Sequence, residues 1–313
     1  MNAVATPATL KGDLLTGLEW SPAQLNGFFR LAADVKAHPD RYSTALSGRV
    51  LTLIFEKPSL RTRVTFEAGI AALGGTSIFL DHTAARLGER EPIRDIAKNL
   101  ERWVQGIIAR VFEQGSLDEL ARNAGIPVIN ALSDKFHPCQ AFSDFFTLEE
   151  RFGGLRGLKL AYVGDGNNMC HSLVSAAARC GVLIRVATPH GYEPDDEVIA
   201  DAKSIARETG GKVEILHSPE EAVAGAQAVY TDVWASMGQE EESAEREKVF
   251  AAYQVNGRLF SQAAPDAVFL HCLPAHRGLE VTEEVIDSPR SIIYDQAENR
   301  LHVQKAILHM LLN

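Results

Sequence analysis

Basic residues are in deficit in this 313-residue chain: 31 Lys and Arg face 41 Asp and Glu, a formal net charge of −10. A chain of that sign is a poor candidate for broad nucleic-acid binding. Any anion it holds must be held by locally concentrated Arg, Lys and backbone N–H groups. Cysteine is scarce too. Cys139, Cys170, Cys180 and Cys272 show no CxxC spacing, which argues against a zinc site and a disulfide framework and fits a reducing cytoplasm. No apolar run reaches membrane-crossing length, and residues 1–10 have no apolar core behind a basic segment, so no signal peptide is expected. Low-complexity tracts and short-period repeats are lacking. What is present is 46% hydrophobic and 23% charged, the make-up of an ordinary globular protein, with length for about two domains.

Strand-like and helix-like segments alternate, the pattern of an α/β protein. Strands are expected at 50–55, 76–80, 106–111 and 128–129, with helices near 59–73, 93–104, 116–124 and up to 151. Gly153, Gly154 and Gly157 are the compositional break. Beyond it, strands are expected at 159–163, 183–187, 213–216, 228–231 and 267–271, with helices near 169–180, 195–209, 219–225 and 297–312. The highly charged stretch 239–248 is expected to be a solvated helix face.

The first motif with chemistry is Ser59-Leu60-Arg61-Thr62-Arg63. The strand before it is apolar except for Thr52, Glu56-Lys57-Pro58 ends that strand, and Ser59 suits an N-cap. The first N–H groups of a helix have no intrahelical partners and its dipole is positive there, so anions bind well. Arginine adds a planar fork that matches phosphate oxygens. Alone, the segment reads equally as a surface helix with two exposed arginines. His137-Pro138-Cys139-Gln140 opens another helix, with Pro138 in its first turn. His137 there is either structural or a donor to a carbonyl or an acid/base group.

Gly164-Asp165-Gly166-Asn167-Asn168 is half of a dinucleotide fingerprint. Met169 replaces the third glycine, and Thr188-Pro189-His190 lies where an acidic ribose ligand is expected, so the context speaks against NAD. Asn167 and Asn168 offer amide groups at the carboxyl edge of a sheet, or form a turn that tolerates Asn. Asp232, after strand 228–231, is placed to hold a substrate ammonium. Cys272, beside His271, is either a nucleophile or a small buried residue.

Six segments occur in one order: Glu56-Lys57-Pro58-Ser59-Leu60-Arg61-Thr62-Arg63, His137-Pro138-Cys139-Gln140, Asp165-Gly166-Asn167-Asn168, Asp232-Val233-Trp234-Ala235-Ser236-Met237-Gly238, His271-Cys272-Leu273-Pro274-Ala275-His276-Arg277-Gly278 and Ala297-Glu298-Asn299-Arg300. Together they resemble the aspartate/ornithine carbamoyltransferase family, and the last segments its ornithine branch, over nearly the whole chain. The resemblance implies two α/β domains, each a mostly parallel sheet flanked by helices, with the active site in the cleft between them. It places a carbamoyl phosphate domain at 1–135, completed by a C-terminal helix at about 295–313, and an ornithine domain at 136–294. It implies transfer of a carbamoyl group from carbamoyl phosphate to L-ornithine, giving citrulline and phosphate in arginine metabolism. No cofactor or metal, no nucleic acid and no membrane are expected as partners, and a cytoplasmic homotrimer or multiple of trimers is.

By position, the resemblance gives Ser59, Leu60, Arg61, Thr62, Arg63, Arg86, Arg110, His137, Gln140, Cys272, Leu273 and Arg300 to carbamoyl phosphate. It gives Asn168, Asp232, Ser236 and Met237 to ornithine. Arg61, Arg110, His137, Cys272 and Arg300 are its catalytic set. Two positions depart from the family's habit. Leu60 stands where Thr is common, losing a side-chain contact, and Arg86 stands where Gln or His is common, at a position that typically reaches the neighbouring subunit's site. Alternatives of the same kind are a carbamoyltransferase for N-acetylornithine or putrescine. Those of another kind are a dinucleotide-binding protein or a non-catalytic regulator.

Overall fold

The computed structural model describes residues 12–235 and 242–313. Its first helix, α1 (Pro22–Ala37), was not among the expected elements, although Leu25, Phe28, Phe29, Ala32 and Val35 recur at helical spacing. Its start was nonetheless written in Ser21-Pro22-Ala23-Gln24. The Ser21 hydroxyl accepts from the Gln24 N–H, the Gln24 side chain accepts from the Ser21 N–H, and Pro22 takes the first position.

The first unit comprises residues 12–146 and 298–313. It contains β1 (Val50–Phe55), α2 (Leu60–Ala72), β2 (Thr76–Asp81), α3 (Ile93–Trp103), β3 (Gly106–Arg110), α4 (Gln114–Asn123), β4 (Val128–Leu132) and the start of α5 (Pro138–Phe152). The strands form one parallel sheet in the order β2-β1-β3-β4. Five of the six β1 residues and all of β3 are buried, which accounts for their near-continuous apolar runs. Ile54, Ile107, Ala109 and Val128 pack with Ala97 and Leu100 of α3 and with Leu117 and Leu120 of α4. The connection from β1 runs one way to β2, and the next strand, β3, lies on β1's other side. The sheet's switch point is therefore between β1 and β3, with Phe55 beside Arg110 and Arg110 beside Leu132. Ligands of such sheets bind at the carboxyl ends of strands at a switch point.

The second unit, residues 147–297, repeats the plan. It contains β5 (Lys159–Val163), α6 (Asn168–Cys180), β6 (Leu183–Ala187), α7 (Asp196–Thr209), β7 (Lys212–Leu216), α8 (Pro219–Val223), β8 (Ala228–Thr231), α9 (Ser243–Phe250), α10 (Gly257–Phe260), β9 (Val268–Leu270) and α11 (Glu283–Ile286). Its parallel sheet has the order β7-β6-β5-β8-β9, so its switch point lies between β5 and β8. The loops there carry residues 164–168 and Asp232. The last helix, α12 (Ile293–Leu312), begins four residues before the expected 297. The compact units divide within α5 and α12, rather than ahead of α5.

Two details differ from the sequence reading for physical reasons. β9 is shorter than 267–271 because the His271 N–H leaves the ladder and donates to Gln296 Oε1 at 3.1 Å. The charged stretch 239–248 is described only from Glu242. There Arg246 is buried rather than solvated, because it answers the buried carboxylate of Asp165 at 3.0 Å.

Candidate active site

In the first unit the switch point gathers three loops. After β1, Glu56 is buried and its two oxygens accept the N–H groups of Leu87 and Phe112, both at 2.7 Å. One carboxylate thereby fastens the loop at 82–92 to the end of β3. Ser59 caps α2, its hydroxyl accepting from the Thr62 N–H at 3.3 Å. Leu60 is 74% exposed, so this position contributes backbone but little packing. Thr62 is buried, and its hydroxyl accepts from Arg300 Nη2 at 2.7 Å. A residue of α12 thus meets the first turn of α2, a contact spanning 238 positions of sequence.

Arg110 ends β3 and is buried; His137 and Gln140 open α5 and are buried as well. The His137 carbonyl receives the first helical hydrogen bonds, from the N–H groups of Gln140 and Ala141. Burial, reinforced by the positive charges of Arg300 and Arg110, holds the His137 imidazole well below its usual pKa. It is therefore neutral near pH 7, in the field of two guanidiniums. Gln140 donates its Nε2 to Asp144 Oδ1 at 2.7 Å. A carboxylate accepts only, so this contact fixes the amide's orientation. Gln140 Oε1 is then left buried with no hydrogen-bond partner among the described residues, a position suited to an N–H of a bound amide.

Thr62, Arg110, His137, Gln140 and Arg300 are therefore brought together. Arg63 is engaged elsewhere: its guanidinium lies 3.6 Å from the centre of the Phe79 ring and its Nε is 3.0 Å from Glu67. Arg86 is half-exposed, stacked 4.3 Å from the centre of the Phe112 ring and 3.3 Å from Glu113. Lys57, which sequence reasoning passed over, is buried and lies over the same ring, its Nζ 4.3 Å from the centre. Burial first, then Arg110, lowers its pKa. Its adjacency to the Ser59 segment was the available signal. Cys139, in the same motif, is a buried thiol pushed up to about 12 by desolvation, which makes it packing rather than chemistry.

In the second unit Asn167 caps α6. Its Oδ1 accepts the N–H groups of Met169 and Cys170, and its Nδ2 donates to Asp232 Oδ2 at 3.0 Å. The other Asp232 oxygen accepts from Cys272 Sγ at 3.0 Å. Asp232, 6% exposed, is thus a carboxylate aimed by two neighbours. Of the two asparagines it is Asn167 that orients Asp232, while the Asn168 carbonyl accepts from the Ser172 hydroxyl. His271 is buried. Its Nδ1 accepts from the Leu273 N–H at 2.9 Å, which places the proton on Nε2, 3.3 Å from Glu280 Oε1. This anchor holds Leu273 at φ 59, a left-handed conformation rare for Leu, ahead of a cis peptide to Pro274. Ser236 and Met237 lie outside the described residues.

The glycine pair has a local reason. A Cβ on Gly166 would stand 2.3 Å from the Pro194 nitrogen and 2.6 Å from the Tyr192 carbonyl oxygen. The Gly166 N–H donates to that carbonyl. The glycine admits the protein's own 192–194 backbone where a dinucleotide would need room for pyrophosphate.

Family models match both units. "Aspartate/ornithine carbamoyltransferase, carbamoyl-P binding domain" covers residues 12–150, and "Aspartate/ornithine carbamoyltransferase, Asp/Orn binding domain" covers 156–311. The chain is similar to the ornithine carbamoyltransferase of Thermus thermophilus, 52% identical over 97% of this chain and 98% of that protein. It is similar to that of Listeria monocytogenes, 49% identical over 100% and 99%. The solved structure of ornithine carbamoyltransferase from Pyrococcus furiosus aligns with a TM-score of 0.94 at 48% identity, covering 97% of this chain and 98% of that one.

Proposed function

The chain belongs to the aspartate/ornithine carbamoyltransferase family, and we propose that it transfers the carbamoyl group of carbamoyl phosphate to the δ-amine of L-ornithine. The products are L-citrulline and phosphate. Within the family, the observation that carries this reading is Asp232: a nearly buried carboxylate oriented by Asn167 and Cys272. An anion in that place suits the ammonium that ornithine carries and would repel the side-chain carboxylate of aspartate.

The first unit takes carbamoyl phosphate. The N–H groups at the start of α2, with Ser59, Arg61 and Thr62, hold the phosphate, while the Arg63 side chain stays with Phe79 and Glu67. Arg110, Arg300 and neutral His137 point donors at the carbonyl oxygen, and Gln140 Oε1 accepts from the carbamoyl nitrogen. In the second unit Asn168, Asp232, Ser236 and Met237 hold ornithine. Cys272 and Asp232 position its δ-nitrogen, and Leu273 closes against the carbamoyl group.

The neutral δ-amine attacks the carbonyl carbon. The new C–N bond forms, charge gathers on the carbonyl oxygen, and the C–O bond to phosphorus's oxygen breaks. Phosphate leaves with the electron pair and takes up the proton that the nitrogen loses. Fixed donors aimed at the developing oxyanion are the main source of rate in such a reaction, each worth about 10²–10³-fold. Holding both reactants in contact supplies several kcal/mol more.

We further propose a homotrimer or multiple of trimers, with Arg86 serving the phosphate of an adjacent subunit, acting in the cytoplasm in arginine biosynthesis. The exposed Leu60 and Val64 on α2, 74% and 52% accessible, support an association surface near that site. The four free thiols support a reducing compartment. Mixing an Arg86→Ala enzyme with an Arg61→Ala enzyme should restore some activity, and no recovery would count against sharing. Among the described residues no helix is long and apolar enough to cross a membrane. The functional reading is tested by melting: carbamoyl phosphate at about 100 times its Kd should add about 2.7 kcal/mol, and NAD nothing. Stabilisation by NAD alone would overturn it.

A further inference from the structure

Away from the substrate residues, at the carboxyl ends of β6 and β7, lie His190, Glu193 and His217. The two strands are neighbours, with Ala187 beside Leu216, so the residues that follow them meet at one edge. After β6 the chain turns back: the Tyr192 N–H donates to the Pro189 carbonyl, and Gly191 takes φ +87. That turn brings His190 Nδ1 within 3.7 Å of Glu193 Oε1. His217 Nε2 approaches the same oxygen at 3.9 Å, and the imidazole centres of His190 and His217 are 3.6 Å apart. One ligand atom from each residue falls within a sphere where all lie under 4.8 Å from one another.

Two of the three ligands are already aimed. His217 Nδ1 is 2.9 Å from the Thr188 carbonyl oxygen. A carbonyl accepts only, so Nδ1 carries the proton and Nε2 presents its lone pair toward Glu193, the arrangement that orients histidines on metals. The His217 carbonyl in turn accepts from the Tyr253 hydroxyl at 2.7 Å. Glu193 Oε2 accepts from the Gly191 N–H at 2.8 Å, leaving Oε1 facing the two rings. The side chains of His190, His217 and Glu193 are 82%, 39% and 38% exposed, so an ion can reach them from solvent.

We propose that His190, Glu193 and His217 form a binding site for a divalent transition ion of the zinc class. Zinc takes His nitrogens at about 2.0–2.1 Å and carboxylate oxygens at about 2.0–2.2 Å, so ligand atoms on one ion lie roughly 3.3–3.5 Å apart. The two contacts to Glu193 Oε1 must close by a few tenths of an ångström and the two rings, 3.6 Å apart, must swing away from each other, a motion open to the 82% exposed His190 side chain. Two nitrogens and one oxygen suit Zn²⁺, Co²⁺ or Ni²⁺ better than Ca²⁺ or Mg²⁺. The bound ion would pin the turn after β6 to the end of β7, with solvent completing its shell.

Cobalt(II) is the probe, since its absorption spectrum separates nitrogen and oxygen ligands from thiolate. The background is Cys272→Ser, because Asp232, His271 and Cys272 also bring ligand atoms together. One equivalent of Co²⁺ should bind in that background with no thiolate charge-transfer band. His190→Ala and His217→Ala should each weaken binding by more than about 10-fold, the low end of what even an outer-shell change costs. Glu193→Gln should weaken it less. Zn²⁺ should raise the melting temperature of the Cys272→Ser protein and not that of the double-histidine variant. Absence of binding up to millimolar Co²⁺, or affinity unchanged by both histidine substitutions, would overturn the proposal.

Discussion

Replacing Arg246 by Ala should cost more stability than any surface charge in this chain, and the loss should depend on pH. Arg246 is 8% exposed and reaches three acceptors: Asp165 Oδ2 at 3.0 Å, the Trp234 carbonyl at 2.9 Å and Glu242 at 2.9 Å. Burial raises the Asp165 carboxyl from 3.8 to about 6, even though Arg246 pulls it down. A shift from 3.8 to about 6 corresponds to about 3 kcal/mol spent keeping Asp165 ionised at neutral pH. A raised carboxyl binds its proton more tightly in the folded state, so this cost is absent below the unfolded pKa, grows as pH rises from about 4 to about 6, and is complete above that. Without the guanidinium the carboxyl rises further and the window moves up. Arg246→Ala should therefore lose about 3–5 kcal/mol at pH 7, as expected for a buried charge left without its partner. Part of that loss should return at pH 5, where Asp165 is protonated. Urea unfolding at the two pH values reads both quantities. A loss under about 1 kcal/mol, or the same loss at pH 5 and pH 7, would refute the reasoning. The double replacement Asp165→Asn with Arg246→Met should recover most of the stability, because both buried charges then go together.

Other consequences are simpler to read. Asp232→Asn should abolish productive ornithine binding while carbamoyl phosphate still raises the melting temperature; loss of both responses would mean the aspartate is structural. His137→Ala should lower kcat by about 10²–10³-fold, as for removal of one oxyanion donor, and the His137 ring should remain neutral by NMR at pH 6, since burial and two guanidiniums depress its pKa. Because that pKa is depressed, the histidine's contribution to stability is present above about 6.5 and fades as pH falls below it. Gly166→Ala should destabilise the second unit, its Cβ meeting the 192–194 backbone at 2.3 Å, with a clear fall in melting temperature as the measurement.

Much of the fold was legible because its strands are buried on both faces. Val50–Phe55, Lys159–Val163, Leu183–Ala187 and Ala228–Thr231 form where their apolar runs say. The candidate site was legible in part for the same reason. Its segments follow strands directly, and the switch points of the two sheets collect them. Helix α1 went unmarked although Ser21 and Gln24 carried its start and Leu25, Phe28, Phe29, Ala32 and Val35 its spacing. What could not be read are contacts between distant positions. Arg300 meets Thr62 across 238 residues and Arg246 meets Asp165 across 81, and no local pattern encodes either. The charged stretch around Arg246 read as solvated because its neighbours are acidic, yet one buried carboxylate draws its arginine inward. Arg63 shows the converse: a motif residue whose side chain is taken up by Phe79 and Glu67.

The central claim is a carbamoyltransferase whose amine is ornithine. The direct measurement is the rate of carbamoyl transfer from carbamoyl phosphate to L-ornithine, N-acetylornithine, putrescine and L-aspartate under identical conditions. Citrulline should form from ornithine at a kcat/KM far above the other three, and Asp232→Asn should lose that preference. A higher kcat/KM for any other amine, or no carbamoyl phosphate-dependent product from ornithine, would contradict it.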